Sequence, residues 1–260
     1  MNTQTMPTVF IGHGSPLNAL EENRYTRAWR QLAESLPRPR AILAISAHWY
    51  TRGTLITGGT QQRTIHDFHG FPPALYECQY PAAGSPQLAQ QIREQLSPFD
   101  VQVSEDWGLD HGTWSILLKM YPEADIPVLQ LSIDATRYGE YHYQLGQKLR
   151  ALRDQGVLIL GSGNVVHNLG LMRWDQDTPP YPWAQNFERW IRDALTRGDH
   201  DNLVHFEHAG GDARLSVPTP EHFLPLLYIA GASDSADKVS FPIEGIELGS
   251  ISMLSVFYGQ

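Results

Sequence analysis

Eleven histidines stand against a single cysteine, Cys78, in this 260-residue chain. A metal held within one subunit must therefore be bound through imidazole, aspartate or glutamate. Three of the histidines share a setting. The apolar runs Thr8 to Ile11, Ala41 to Ile45 and Val157 to Leu160 each end in small residues and are soon followed by His13, His48 and His167. Runs of this length flanked by Gly and Ser read as buried strands, and an open α/β sheet puts its ligand crevice at the strand ends. His222 lies in Thr219-Pro220-Glu221-His222. There Thr219 is the expected N-cap and Pro220 the first helical residue, so the first turn is aimed at the same crevice. Glu221 has a simpler reading as an acidic first-turn residue that complements the helix dipole. His111, in Gly108-Leu109-Asp110-His111-Gly112-Thr113-Trp114, occupies a turn at another expected helix start.

A mononuclear site of imidazoles, with or without a carboxylate and left with open positions, suits zinc hydrolysis or nonheme iron oxygen chemistry. Spacing alone does not choose between them. The His-Glu-x-x-His helix of many zinc hydrolases is absent, and no Gly-x-Ser-x-Gly elbow makes Ser15 or Ser162 a nucleophile. Gly161-Ser162-Gly163 lacks the full spacing of a dinucleotide or Walker loop. A noncatalytic module holding a structural metal fits less well, because structural zinc is normally closed by four protein ligands, often cysteines. His66, His69, His142, His200, His205 and His208 show no comparable context and are assigned to loops, helix surface or an exposed strand. Of these, His66 and His69 stand nearest to a site role.

The elements that must position these residues follow from periodicity. Arg24 to Leu36 has helical spacing and is closed by Pro37, so the opening reads as strand, helix, strand with a parallel pair. Leu55 to Thr57 is a short further strand. Thr60 to Ser85 is rich in Gly, Pro and aromatics without a sustained period, and a long irregular segment inside a compact domain is usually functional. It is expected to line the pocket, with Trp49, Phe71 and Tyr76 as candidates for an apolar wall. Gln87 to Leu96 reads as a helix, Val101 to Ser104 and Val128 to Ile133 as strands, and Thr113 to Tyr121 as the helix between them. Tyr138 to Arg153, Trp183 to Thr196 and Pro220 to Gly231 are further helices, and Ile251 to Phe257 is a terminal strand. No repeat or low-complexity linker marks a boundary. The expectation is a single α/β domain over residues 1–260, with a central mostly parallel or mixed sheet flanked by helices and the site at strand ends.

Composition narrows the partners. With 42% hydrophobic residues the chain can fill a substantial core, and a net charge of −9 opposes nonspecific binding to nucleic acid or anionic lipid. No apolar stretch reaches membrane-spanning length, and Met1-Asn2-Thr3-Gln4-Thr5 lacks the basic and apolar regions of a signal peptide, so a cytoplasmic location is expected. The subunit count is left open.

Taken together, six motifs resemble one family. They are His13-Gly14-Ser15-Pro16, Ser46-Ala47-His48-Trp49, Asp67-Phe68-His69-Gly70-Phe71-Pro72, Leu109-Asp110-His111-Gly112-Thr113-Trp114, the Gly161 to Asn168 segment, and Thr219 to Leu226. In this order, across nearly the whole chain, they are similar to the class III extradiol ring-cleaving dioxygenases, in the branch of the DOPA 4,5-dioxygenases. The resemblance implies a catechol such as 3,4-dihydroxyphenylalanine and dioxygen as substrates, with one divalent metal per chain, Fe(II) for activity; a third imidazole in place of a carboxylate resembles a three-histidine zinc site and makes Zn(II) an alternative occupant. By the same resemblance His13 and His48 match two metal-binding histidines. His222 stands where related enzymes supply a glutamate ligand, with Glu221 as the competing candidate. His167 matches the active-site base and is near enough to ligate the metal when no substrate is bound. His111 matches a second pocket histidine. The chemistry is general: a chelated catechol becomes more acidic, a near-neutral histidine accepts its proton, and an acid, protonated His167 or His111, assists the later bond cleavage.

Overall fold

The computed structural model describes residues 5–175 and 178–259. The first four residues, and with them most of the stretch read for a signal peptide, lie outside the described part. The chain opens with β1 (Thr8–Gly12), α1 (Arg24–Ser35), β2 (Ala41–Thr51) and β3 (Leu55–Thr57), followed by α2 (Pro73–Tyr76), α3 (Pro86–Gln95) and β4 (Gln102–Ser104). The middle is α4 (His111–Met120), β5 (Val128–Asp134), α5 (Gly139–Leu149) and β6 (Val157–Gly163). Then come α6 (Pro182–Arg197), α7 (His200–Val204), α8 (Gly211–Ser216) and α9 (Leu224–Ala232). The chain closes with β7 (Lys238–Ile243), β8 (Ile246–Glu247), β9 (Ile251–Ser252) and β10 (Ser255–Gly259).

Eight strands form one mixed sheet in the order β4-β3-β5-β2-β6-β1-β10-β7. Its centre, β5-β2-β6-β1, is parallel, because each strand returns through a crossover that packs on a sheet face. Every residue of β1, β5 and β6 is buried, as expected of strands covered on both faces. One apolar cluster fills the space between the sheet and α3, α5, α6 and α9. A second lies on the opposite face with α1 and α4. The antiparallel edge comes from β10 and β7 on one side and the β3–β5 pair on the other. The expected mostly parallel or mixed sheet flanked by helices is what the fold has. No helix among the described residues is long and apolar enough to cross a membrane.

Several boundaries differ from the periodicity reading. The expected strand Ala41 to Ile45 continues to Thr51, and its register against β5 shifts between Ile45 and Tyr50. His48 therefore rides on an irregularity inside the strand and not in a turn beyond it. The expected helix Pro220 to Gly231 is a single 3-10 turn, Pro220–His222, followed by α9. Thr219 does not cap it, because its hydroxyl donates to Glu221 Oε1 at 2.8 Å. The expected helix Tyr138 to Arg153 ends at Leu149 and tightens into a 3-10 segment, Arg150–Gln155. The expected strand Ile251 to Phe257 is broken into β9 and β10, and β7, whose Val239, Phe241 and Ile243 alternate along a sheet edge, is an additional strand. His142, assigned above to an exposed or loop position, is fully buried in α5, with Nδ1 2.9 Å from the Tyr228 hydroxyl.

One buried ion pair ties the chain ends of this core. Arg153 Nη1 and Nη2 meet Asp237 at 2.6 and 2.8 Å, and the guanidinium also donates to the carbonyls of Met6 and Ala232. Both side chains are at most 2% exposed. Asp237→Ala leaves that buried cation without its partner, which costs about 3–5 kcal/mol. Urea unfolding is expected to show the free energy in water falling by that amount, as a lower midpoint with an unchanged slope.

Candidate metal centre

Two of the central parallel strands and one turn deliver histidines to one rim. His13 follows β1, where Gly14 at φ 61° turns the chain away and lets the ring stay behind in the crevice. His48 comes from β2 and His222 from the turn before α9. That turn can approach because residue 163 is glycine: a Cβ there would stand 2.1 Å from the His222 carbonyl oxygen. The same carbonyl accepts from Asn164 N at 2.9 Å, which locks the turn onto the end of β6. Gly163→Ala is expected to destabilise the fold by about 1–3 kcal/mol through overpacking. It should also lower metal retention by displacing His222, which a melting curve and elemental analysis of the same sample would read.

The rings of His13, His48 and His222 lie with centroids 5.0, 5.3 and 5.1 Å apart, and each offers a nitrogen within 4.8 Å of the others. The outer nitrogens of His13 and His222 are hydrogen-bonded to protein acceptors, and that of His48 lies beside the Asp67 carboxylate as a charge contact. His13 Nδ1 is 2.9 Å from Ser162 Oγ, whose own proton goes to the Gly112 carbonyl at 2.5 Å, so His13 must be the donor. His222 Nδ1 is 3.1 Å from Glu221 Oε1, and His48 Nδ1 is 3.2 Å from Asp67 Oδ2. With Nδ1 protonated, each ring turns a bare Nε2 inward. His13 Nε2 and His48 Nε2 are then 3.2 Å apart with lone pairs opposed, and His222 Nε2 is buried without any hydrogen-bond partner. Such an arrangement is costly unless a cation lies between the rings. Nitrogens bonded to one tetrahedral ion at about 2.0–2.1 Å stand about 3.3–3.4 Å apart, close to the separation found. The donor set thus fits a divalent metal, with imidazoles oriented as outer hydrogen bonds orient them in metal sites.

Electrostatics keeps these rings neutral. Burial first, and then the neighbouring histidines, hold His13 and His222 well below the ordinary imidazole range. Burial and His111 take His48 down to about 3. Neutral imidazole is the form that ligates.

Two more expected residues flank the cluster. His167 stacks on His222 with centroids 3.4 Å apart and planes 8° from parallel. Among the described residues neither of its ring nitrogens has a hydrogen-bond partner. It groups with His222 and Glu221 and not with the trio above. Burial pushes its pKa down to about 4 against the opposing charge of Glu221. His111 opens α4, with its ring centroid 3.9 Å from that of His48. All five histidines singled out in the sequence therefore meet in one place. Of the remaining six, His66 bonds the Cys78 carbonyl, His200 the Tyr143 hydroxyl, and His205 stacks on His208 at the surface. His69 is exposed.

Other participants were assigned no role from the sequence. Asp67 reaches the site from the irregular 60–85 segment and contacts both His111 and His48. Burial raises its pKa, but the His111 hydrogen bond and the two histidines outweigh it and hold the carboxyl below its ordinary range. Asp110, fully buried beneath, is pushed up to about 6 by burial and then by the charge of Asp67, while Ser46 and Gln130 bond it. The wall residue beside His111 is Phe68, at 5.5 Å between centroids. Phe71 and Tyr76 pack behind Phe68, and Trp49 is buried against Trp107. Asp67 and Phe68 belong to a quoted motif, but only their distant folding partners reveal their use.

Residues 7–257 match the family model of the catalytic LigB subunit of aromatic ring-opening dioxygenase. The chain belongs to this family. A protein of Escherichia coli (strain K12) called 4,5-DOPA dioxygenase extradiol is 52% identical, over 100% of this chain and 97% of its own length. A protein of the same description from Beta vulgaris is 42% identical, over 89% and 88%. The crystal structure of an uncharacterized protein from Escherichia coli K12 superposes with a TM-score of 0.86 at 48% identity, covering 98% of this chain and 100% of that one. The LigB-family chain described here is thus an extradiol dioxygenase of the DOPA branch, with a catechol and dioxygen as its substrates and a metal as its cofactor. Membership disfavours the hydrolase weighed from the residues alone.

Proposed function

We propose that this LigB-family enzyme opens the ring of 3,4-dihydroxyphenylalanine beside its two hydroxyls, at the 4,5 bond, to give a semialdehyde. Its centre would be one Fe(II) held by Nε2 of His13, His48 and His222. The observation that carries the reading is the shared orientation of these three rings, Nδ1 outward on Ser162, Asp67 and Glu221 and Nε2 inward. Glu221 then orients His222 and is not itself the third ligand. Fe(II) held there would supply a redox-active Lewis acid for the catechol hydroxyls and dioxygen. Zn(II) suits the same donor set but has no redox chemistry, so it would occupy the site without supporting turnover.

The chain's own groups do the rest. Burial favours the neutral form of His167, and its ring nitrogens, without a hydrogen-bond partner among the described residues, would take a phenolic proton and give it back when the ring opens. His111 has its Nδ1 on Asp67, which leaves Nε2 to exchange a proton with the substrate. Phe68 offers an apolar face beside His111 that keeps water from the ring. Metal-free protein loaded anaerobically with Fe(II), then given DOPA and air-saturated buffer, tests the reading. One dioxygen consumed per DOPA and a yellow product heavier by one dioxygen molecule are expected. Absence of oxygen uptake with any of a panel of catechols would refute it.

A further inference from the structure

Asp67 is remote in sequence from both histidines that its carboxylate contacts, His48 and His111, and the carboxylate is used on both oxygens. Oδ1 accepts from the backbone N–H of His111 at 2.9 Å. Oδ2 lies 3.0 Å from His111 Nδ1 and 3.2 Å from His48 Nδ1. An ionised carboxylate only accepts hydrogen bonds, so His111 Nδ1, which bonds it, carries its proton there, and the negative charge 3.2 Å from His48 Nδ1 favours a proton on that nitrogen as well. For His48 that exposes the Nε2 lone pair on the edge facing His13, and for His111 it exposes Nε2 where no described residue of the protein meets it. We propose that Asp67 is a positioning residue that fixes the tautomer and orientation of His48 and His111 together, through one oxygen. This rests on the ring-opening reading above for its consequence in turnover, though not for its geometry. The metal-side ring and the proton-exchanging ring then share one support, so losing that support disturbs metal binding and proton transfer at once.

The bond from Oδ1 to the first turn of α4 is what gives the carboxylate its aim. Asparagine cannot reproduce this set. With its oxygen toward His111 N–H, its amide nitrogen faces both Nδ1 atoms and forces their protons to Nε2; flipped, it confronts the backbone N–H with another donor. The test is long-range nitrogen–proton NMR on the full chain labelled with 15N-histidine, metal-free and loaded with zinc, for wild type and Asp67→Asn. Wild type is expected to show the Nδ1–H tautomer at His48 and His111 in the metal-free protein. Asp67→Asn should shift both toward Nε2–H and weaken zinc binding by about 10- to 100-fold, the usual loss for an outer partner of a ligating histidine.

Three results overturn the proposal. One is an Nε2–H tautomer at His111 in wild type, a measurement that stands even if the variant fails to fold. Another is a variant with unchanged tautomers and zinc affinity. The third is two zinc ions per wild-type chain with one lost in the variant, which would make His48, Asp67 and His111 the ligands of a second cation. None of these readouts needs turnover, so a failure of the dioxygenase reading would be recognised separately.

Discussion

His222→Ala is expected to yield a folded protein that no longer retains one equivalent of divalent metal and no longer opens the catechol ring. The fold should survive because the turn is held by backbone. Its carbonyl accepts from Asn164 N at 2.9 Å, and Phe223 beside it anchors in the core. Neither contact involves the imidazole. The ring itself has Nδ1 on Glu221 and a buried, partnerless Nε2, so alanine removes an orphaned polar atom along with the ligand. Metal affinity should fall by more than the roughly 10- to 100-fold typical of losing an outer hydrogen bond, since a direct donor is gone. Elemental analysis after dialysis, beside a melting curve, reads both parts. A variant that binds metal as wild type does would transfer the third position to Glu221.

His167→Ala separates chemistry from assembly. Its backbone N–H bonds the Ser216 carbonyl and its strand bridge reaches Ile251, while its ring stacks on His222 and has no hydrogen bond among the described residues. Removing the ring should leave folding and metal content almost untouched. The rate at saturating DOPA is expected to drop about 10²- to 10⁴-fold, the usual contribution of a positioned acid or base, with little change in KM. Oxygen uptake across DOPA concentrations, normalised to bound iron, gives the measurement. Loss of iron together with activity would instead make His167 a ligand, as the resemblance allowed for the substrate-free state.

The rim histidines were legible because parallel strands bury continuous apolar runs, and such runs announce where the chain must emerge. His13 and His167 follow that rule. His48 follows it only approximately, since a register shift deep in β2 depends on the partner strand β5, which no local pattern encodes. The site's outer supports were less visible. Ser162 is a commonplace serine until its proton is traced to Gly112, and Asp67 acquires meaning only when the irregular 60–85 segment folds back onto α4. The Pro220 turn looked like one helix with α9 because Pro225 and the apolar run behind it conceal the break at Phe223. His142 shows the opposite error, a polar residue on an amphipathic helix whose outer face is covered by α9 and Tyr228.

A crystal structure of the anaerobically Fe(II)-loaded protein tests the central claim most directly. The account predicts one iron bonded to Nε2 of His13, His48 and His222, with Glu221 on His222 Nδ1 and His167 beside the open positions. An iron bound by Glu221 in place of His222, or seated anywhere that leaves two of the three imidazoles unbound, would contradict it.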